Sequence, residues 1–224
     1  MYPQITADDG TKVSGVLRSP TPLEGTPGAG DRPTGIAVLL HPHPAYGGDR
    51  DVWLLPQIAQ ALAAADWASL RINFRGVGDS GGQQTSGELE HLDATAAMAW
   101  LRRQYPTVAR AAVVGWSFGA MIGLRLGAAA DHWIGIAPPT RQVEGLQLLG
   151  PLVPEDLPPR RSIIVGSDDQ FFPPQTTSIL RPDDVCVVEG TDHFFFDRDP
   201  EVADLVVSLL SGTATPSPTT SPTT

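Results

Sequence analysis

Gly115-Trp116-Ser117-Phe118-Gly119 follows the apolar run Ala111-Ala112-Val113-Val114 and leads into the small helix formers Ala120-Met121-Ile122-Gly123-Leu124. A serine on so tight a strand-to-helix turn holds its hydroxyl clear of the chain, and the two glycines remove side chains that would strike neighbouring backbone. The helix start adds unpaired N–H groups and a positive dipole end, both suited to a developing oxyanion. An ordinary loop serine would not need that strand and helix on either side. A hydroxyl is a weak nucleophile until a base takes its proton, so the chemistry calls for a histidine and a carboxylate elsewhere. His193, in Gly190-Thr191-Asp192-His193-Phe194, and the acids Asp168 and Asp169, after Ile163-Ile164-Val165-Gly166-Ser167, meet that need. Serine, acid and histidine come in that order, and with Asp169 as the acid they predict acyl transfer through Ser117, Asp169 and His193.

Other motifs carry weaker chemistry. Gly76-Val77-Gly78-Asp79-Ser80-Gly81 fits a dinucleotide fingerprint, but Gly82-Gln83-Gln84-Thr85-Ser86-Gly87 prolongs the loop where such a turn would run straight into a helix. A structural loop beside the serine is the expectation. His41 and His43 are the nearest histidine pair, but Pro42 and Pro44 spoil strand periodicity and spacing places no third ligand. No metal and no cofactor are expected. His91 and His132 read as solvated or locally hydrogen-bonded, and Cys186 as a small buried hydrophobe. Asp192 reads as a loop-structuring acid. Trp116, Phe171, Phe172 and the run Phe194-Phe195-Phe196 would serve equally as core or as pocket walls.

These residues need a frame that collects distant loops. Short apolar runs at 35–40, 68–74, 111–116, 132–137, 162–165 and 184–189 alternate with helix-compatible segments at 52–65, 88–105, 118–130 and 200–210. The strands are mostly continuous apolar runs, as suits a parallel sheet covered on both faces. At the front, residues 4–6 and 12–18 flank the turn Asp8-Asp9-Gly10, which predicts an antiparallel hairpin at one edge. In such sheets the functional loops follow the carboxyl ends of strands, where Ser117, Asp169 and His193 all fall.

The chain has 224 residues, 41% hydrophobic and 18% charged, enough for one folded domain over 1–212. Residues 213–224 hold six Thr, three Pro, two Ser and one Ala, and are expected to be a disordered tail. Fifteen basic against 25 acidic residues give a formal charge of −10, which repels nucleic acid and anionic membrane surfaces. One cysteine cannot form an internal disulfide, and neither a leader pattern nor about 18 consecutive apolar residues appears. The expected setting is cytoplasmic and the expected partner a small-molecule acyl substrate. The sequence does not fix an oligomeric state.

With Leu39-Leu40-His41-Pro42-His43-Pro44, Gly47-Gly48 and Arg71-Ile72-Asn73-Phe74-Arg75-Gly76-Val77-Gly78-Asp79-Ser80 added to the serine, acid and histidine segments, residues 35–210 resemble the α/β-hydrolase superfamily. The resemblance is closest to small, lidless bacterial members such as dienelactone hydrolases and carboxylesterases. It implies an α/β-hydrolase fold: a mostly parallel central sheet with an antiparallel N-terminal edge, helices on both faces and no large cap domain. It selects Asp169 over Asp168, because Gly166 and Pro173 stand where the family's strand-ending glycine and following proline stand. It also implies an oxyanion hole from the backbone N–H of Phe118 and one from the loop after Leu40, with His43 favoured over Ala45. The activity implied is that of a serine esterase without cofactor. An acyltransferase, a thioesterase and a non-catalytic binding protein on the same fold are the alternatives.

Overall fold

A computed structural model describes residues 1–20, 32–139, 156–171 and 180–213. The tail beyond 213, most of the proline-rich loop at 19–34 and Phe172 lie outside the described residues. The strands are β1 (Gln4–Thr6), β2 (Lys12–Arg18), β3 (Gly35–Leu40), β4 (Trp67–Ile72), β5 (Ala111–Trp116), β6 (His132–Ile136), β7 (Arg160–Gly166) and β8 (Asp184–Val188). They form one sheet in the order β1-β2-β4-β3-β5-β6-β7-β8. The β1–β2 and β2–β4 pairs are antiparallel and every later pair is parallel.

Among the described residues four α-helices cover the sheet: α1 (Leu54–Ala64), α2 (Glu90–Gln104), α3 (Phe118–Leu124) and α4 (Asp199–Ser211). Alternate residues of β3 divide between two cores. Ile36, Val38 and Leu40 join the side chains of α2 and α3, whereas Ala37 and Leu39 join those of α1 and α4. Burial on both faces is why the parallel strands read as unbroken apolar runs. On α1, Leu54, Ile58 and Leu62 recur every four residues and are fully buried, each stabilising the fold by about 1.5–3 kcal/mol. In α4, Pro200 in the first turn and Gly212 in a left-handed C-cap mark the two ends.

The helix expected over 118–130 is shorter than its pattern. α3 stops at Leu124, and a single 3-10 turn at Gly127–Ala129 follows. Gly127 has φ +51°, a left-handed backbone that breaks the helical run, and a Cβ there would lie 2.8 Å from the Asp156 carbonyl oxygen, so only glycine fits.

The loop from Asn73 to Leu89 is fastened at several points, which agrees with a structural role. The Arg75 guanidinium sits 2.7 Å from Asp93 on α2 and 2.7 Å from Asp9 in the front hairpin turn. Glu90, itself buried, receives hydrogen bonds from the Thr85 and Gly87 N–H groups. The glycine-rich stretch therefore folds back on the hairpin, and α2 begins only at Glu90. Cys186 is buried in β8. Among the described residues no helix is long and apolar enough to cross a membrane.

Candidate active site

The chain order of the strands reverses about β3, with β4 on one side and β5 on the other. A crevice opens at such a reversal, beyond the carboxyl ends of the strands. Ser117 follows β5 directly and caps α3 with φ 52° and ψ −114°, a conformation that side chains rarely adopt. The turn is held by the Ser117 N–H donating to the Ile136 carbonyl at 2.8 Å, and by the Ser117 carbonyl accepting from Ala120 N–H at 3.0 Å. The glycines beside it are required by packing. A Cβ on Gly115 would fall 2.3 Å from the Gly119 carbonyl, and one on Gly119 would fall 2.4 Å from the Leu40 carbonyl oxygen.

His193 reaches this serine from the loop after β8. Its Nε2 lies 2.9 Å from Ser117 Oγ and its Nδ1 lies 3.0 Å from Asp169 Oδ2. Because a carboxylate only accepts, Nδ1 carries the proton and Nε2 is left as the acceptor for the hydroxyl. All three side chains are buried, with Ser117 8%, Asp169 4% and His193 7% exposed. Asp169 is oriented by the Phe171 N–H, which donates to Oδ1 at 2.8 Å. The imidazole is held between neighbours. Phe171 packs edge-on at 4.9 Å, Phe194 at 5.5 Å, and Trp116 Nε1 donates to the His193 carbonyl at 3.2 Å. Asp168 points elsewhere, accepting from Ser167 Oγ, and Asp192 accepts from the Phe194 N–H as a turn-forming acid.

Across the crevice, the loop after β3 passes through His43, with φ −61° and ψ 128°, into a 3-10 turn at Pro44–Tyr46. The extended geometry is what the following Pro44 favours. The Ala45 N–H donates to the His43 ring at 3.1 Å. The backbone N–H groups of His43 and Phe118 have no acceptor among the described residues. The His43 ring packs edge-on against the Phe118 ring at 4.9 Å, which brings the two segments together. Partial burial holds the His43 imidazole below the usual histidine range.

His41 and His43 behave differently although two residues apart. His41 is fully buried, and its Nε2 accepts the Phe74 N–H at 3.1 Å. Its Nδ1 therefore carries the proton and donates to the Pro42 carbonyl at 2.7 Å. Burial pushes its pKa down to about 4. Among the described residues no group of three or more His, Cys, Asp or Glu is arranged to hold a metal ion.

A family model described as the α/β hydrolase fold matches residues 38–141. A protein of Rickettsia prowazekii, RP471, is 31% identical over 196 residues, spanning 78% of each chain. The chain belongs to the α/β-hydrolase family. Among solved structures, an α/β serine hydrolase homologue from Coxiella burnetii superposes with a TM-score of 0.76 at 25% identity, over 94% of this chain and 97% of that one. XC6422 from Xanthomonas campestris, described as an α/β serine hydrolase without a lid, gives 0.75 at 25% identity over 96% of each.

In this α/β-hydrolase a cavity of about 230 Å³ lies beside Ser117, with Val52, Trp53, Trp116, Phe171 and Phe194 among its walls. The aromatic residues that sequence left undecided separate here. Phe195 is buried in the core, Trp116 is buried and also walls the cavity, Phe171 and Phe194 line it, and Phe196 is exposed. Two features escaped sequence reading. Trp53 falls within a helical pattern, and His41 reads as half of a metal pair and as one residue of a family segment, with no role of its own. No local signal marks either, because each depends on neighbours from distant segments, Phe74 for His41 and Trp116 and Phe196 for Trp53.

Proposed function

We infer that this α/β-hydrolase is a serine hydrolase that cleaves an ester-like acyl bond of a small molecule through an acyl-enzyme. The observation that carries the reading is the unbroken relay Ser117–His193–Asp169 beside His43 and Phe118, whose backbone N–H groups lack acceptors among the described residues. Ser117 Oγ attacks the substrate carbonyl carbon while its proton passes to His193 Nε2. The carbonyl oxygen takes the negative charge and is met by the N–H groups of Phe118 and His43. Engagement of the Ala45 N–H by the His43 ring favours His43 as the second donor. The tetrahedral adduct collapses, the bond to the leaving alkoxide breaks, and His193 returns the proton to it. Water, deprotonated by the same imidazole, then attacks the acyl-enzyme and releases the acid. Asp169 keeps the imidazole in its Nδ1–H tautomer and stabilises the imidazolium between steps.

Ser117→Ala tests the assignment on a p-nitrophenyl acyl ester. Turnover is expected to fall roughly a thousandfold or more with the fold retained. A fluorophosphonate probe should label the unaltered protein at Ser117 and spare the variant. An alanine variant that keeps most of its turnover would reject the reading. Thioester substrates and added alcohol acceptors, run in the same assay, assign the preferred leaving group and acceptor.

A further inference from the structure

The described residues include six large hydrophobic side chains that are well exposed, and four of them, Tyr46, Trp53, Phe194 and Phe196, gather at or beside the mouth of the cavity. Three of the four form a closed circuit with the site. Trp116, next to the nucleophile, meets the Trp53 ring edge-on at 5.2 Å. Trp53 stacks on Phe196 at 5.0 Å, and Phe196 stacks on Phe194 at 5.7 Å. Phe194 packs on the His193 imidazole, whose carbonyl receives the Trp116 indole N–H. Exposure of 41% for Trp53, 37% for Phe194 and 60% for Phe196 leaves apolar surface in water at no benefit to the fold itself.

The backbone is bent to arrange this. Phe195 has φ 53°, an outlier for a bulky side chain, and its ring is completely buried while its two neighbours face outward. Such strain persists where surrounding packing enforces it, commonly at ligand-binding segments. The cavity lies below the roughly 300–1,000 Å³ usual for ligand clefts and takes about eight heavy atoms at roughly 30 Å³ each, the ester group included. No Asp, Glu, Lys or Arg is among its described lining residues.

We propose that the rings of Trp53, Phe194 and Phe196 form an outer subsite for the uncharged apolar chain of an ester substrate, continuing the cavity beside Ser117 outward. This inference rests on the serine hydrolase reading and names its substrate class: neutral esters whose acyl chain is too long for the cavity alone.

The test is a series of p-nitrophenyl esters from acetate to decanoate with the full chain. kcat/KM is expected to rise on the order of tenfold from hexanoate to decanoate, since each methylene leaving water on a half-exposed surface gains about twofold. Phe196→Ala and Trp53→Ala should flatten the decanoate-to-hexanoate ratio to about twofold, and Phe196→Leu should recover part of it. Tyr2→Ala, an exposed aromatic remote from the rings in the chain, should leave the ratio unchanged. A flat or falling series with acetate turned over overturns the inference alone, as does a gradient that survives both alanine variants. Absence of turnover on every ester, with no labelling of Ser117, overturns the hydrolase reading and this inference with it. A sedimentation coefficient that falls when Phe196 is replaced would reassign the rings to a contact between copies, and so reject the subsite.

Discussion

The His43 amide can be deleted almost alone, because its φ of −61° already matches the angle that a proline ring imposes. His43→Pro removes the N–H and the imidazole, while His43→Ala removes only the imidazole. If the amide binds the oxyanion, the proline variant should lose on the order of a hundredfold or more in kcat relative to the alanine variant. Equal rates would exclude the amide. His41 acts one peptide away: the Pro42 carbonyl it holds and the His43 N–H belong to the same peptide plane, so the imidazole fixes which way the donor points. Asn at 41 can still donate to that carbonyl from a similar position, whereas Gln reaches toward Phe74 instead. His41→Asn is therefore expected to retain more turnover than His41→Gln, by roughly tenfold, and to keep the same advantage in affinity for a boronic acid transition-state analogue. A purely structural role would lower thermal stability in both variants and leave that affinity equal.

At the scale of elements, the turn carrying Ser117 tolerates no added methyl group. Gly115→Ala brings a Cβ to 2.3 Å from the Gly119 carbonyl and should destabilise the protein by about 3 kcal/mol, read as a lower urea midpoint at unchanged slope. The order of strands and helices was legible because apolar runs and turn residues are local signals, and observed boundaries lie within two residues of the expected ones for every parallel strand. The serine turn was legible too, since its glycines are dictated by contacts within one strand-turn-helix unit. The end of α3 was not, because an isolated glycine such as Gly127 is compatible with a helical pattern and its left-handed φ belongs to the folded chain. The outward turn of Phe194 and Phe196 was hidden for a similar reason. Three consecutive phenylalanines show no period, and which ring goes inward is set by the fold around the loop, where Phe195 takes φ 53° and is fully buried. Selection of Asp169 over Asp168 needed more than local pattern, because adjacent acids differ only in which faces the imidazole.

For the molecule as a whole, buried histidines set the response to acid. His132 hydrogen-bonds Ser162 Oγ at 2.7 Å, and that hydroxyl in turn donates to Asp184, tying the starts of β6, β7 and β8 together. Burial, and then the nearby Arg160, push His132 down to about 4, as burial does for His41. Both titrate near 6.5 when unfolded. Between those limits the unfolded chain binds more protons, so stability should fall as pH drops from about 6.5 toward 4, by up to about 3 kcal/mol for each histidine, and level off below. Urea midpoints measured from pH 7.5 to 4.5 should decline, and His132→Asn should remove a large part of the slope. A midpoint constant over that interval would contradict the burial of both rings. The separation of Ser117 from His193 has a further effect on self-assembly. Ser117 and His193 stand 76 residues apart and arrive on strands that are not neighbours in the sheet. Ester turnover during refolding from denaturant should thus lag behind the return of helical dichroism, because it waits on the slow, entropically costly pairing of distant segments. Regained activity becomes a clock for the last strand to dock.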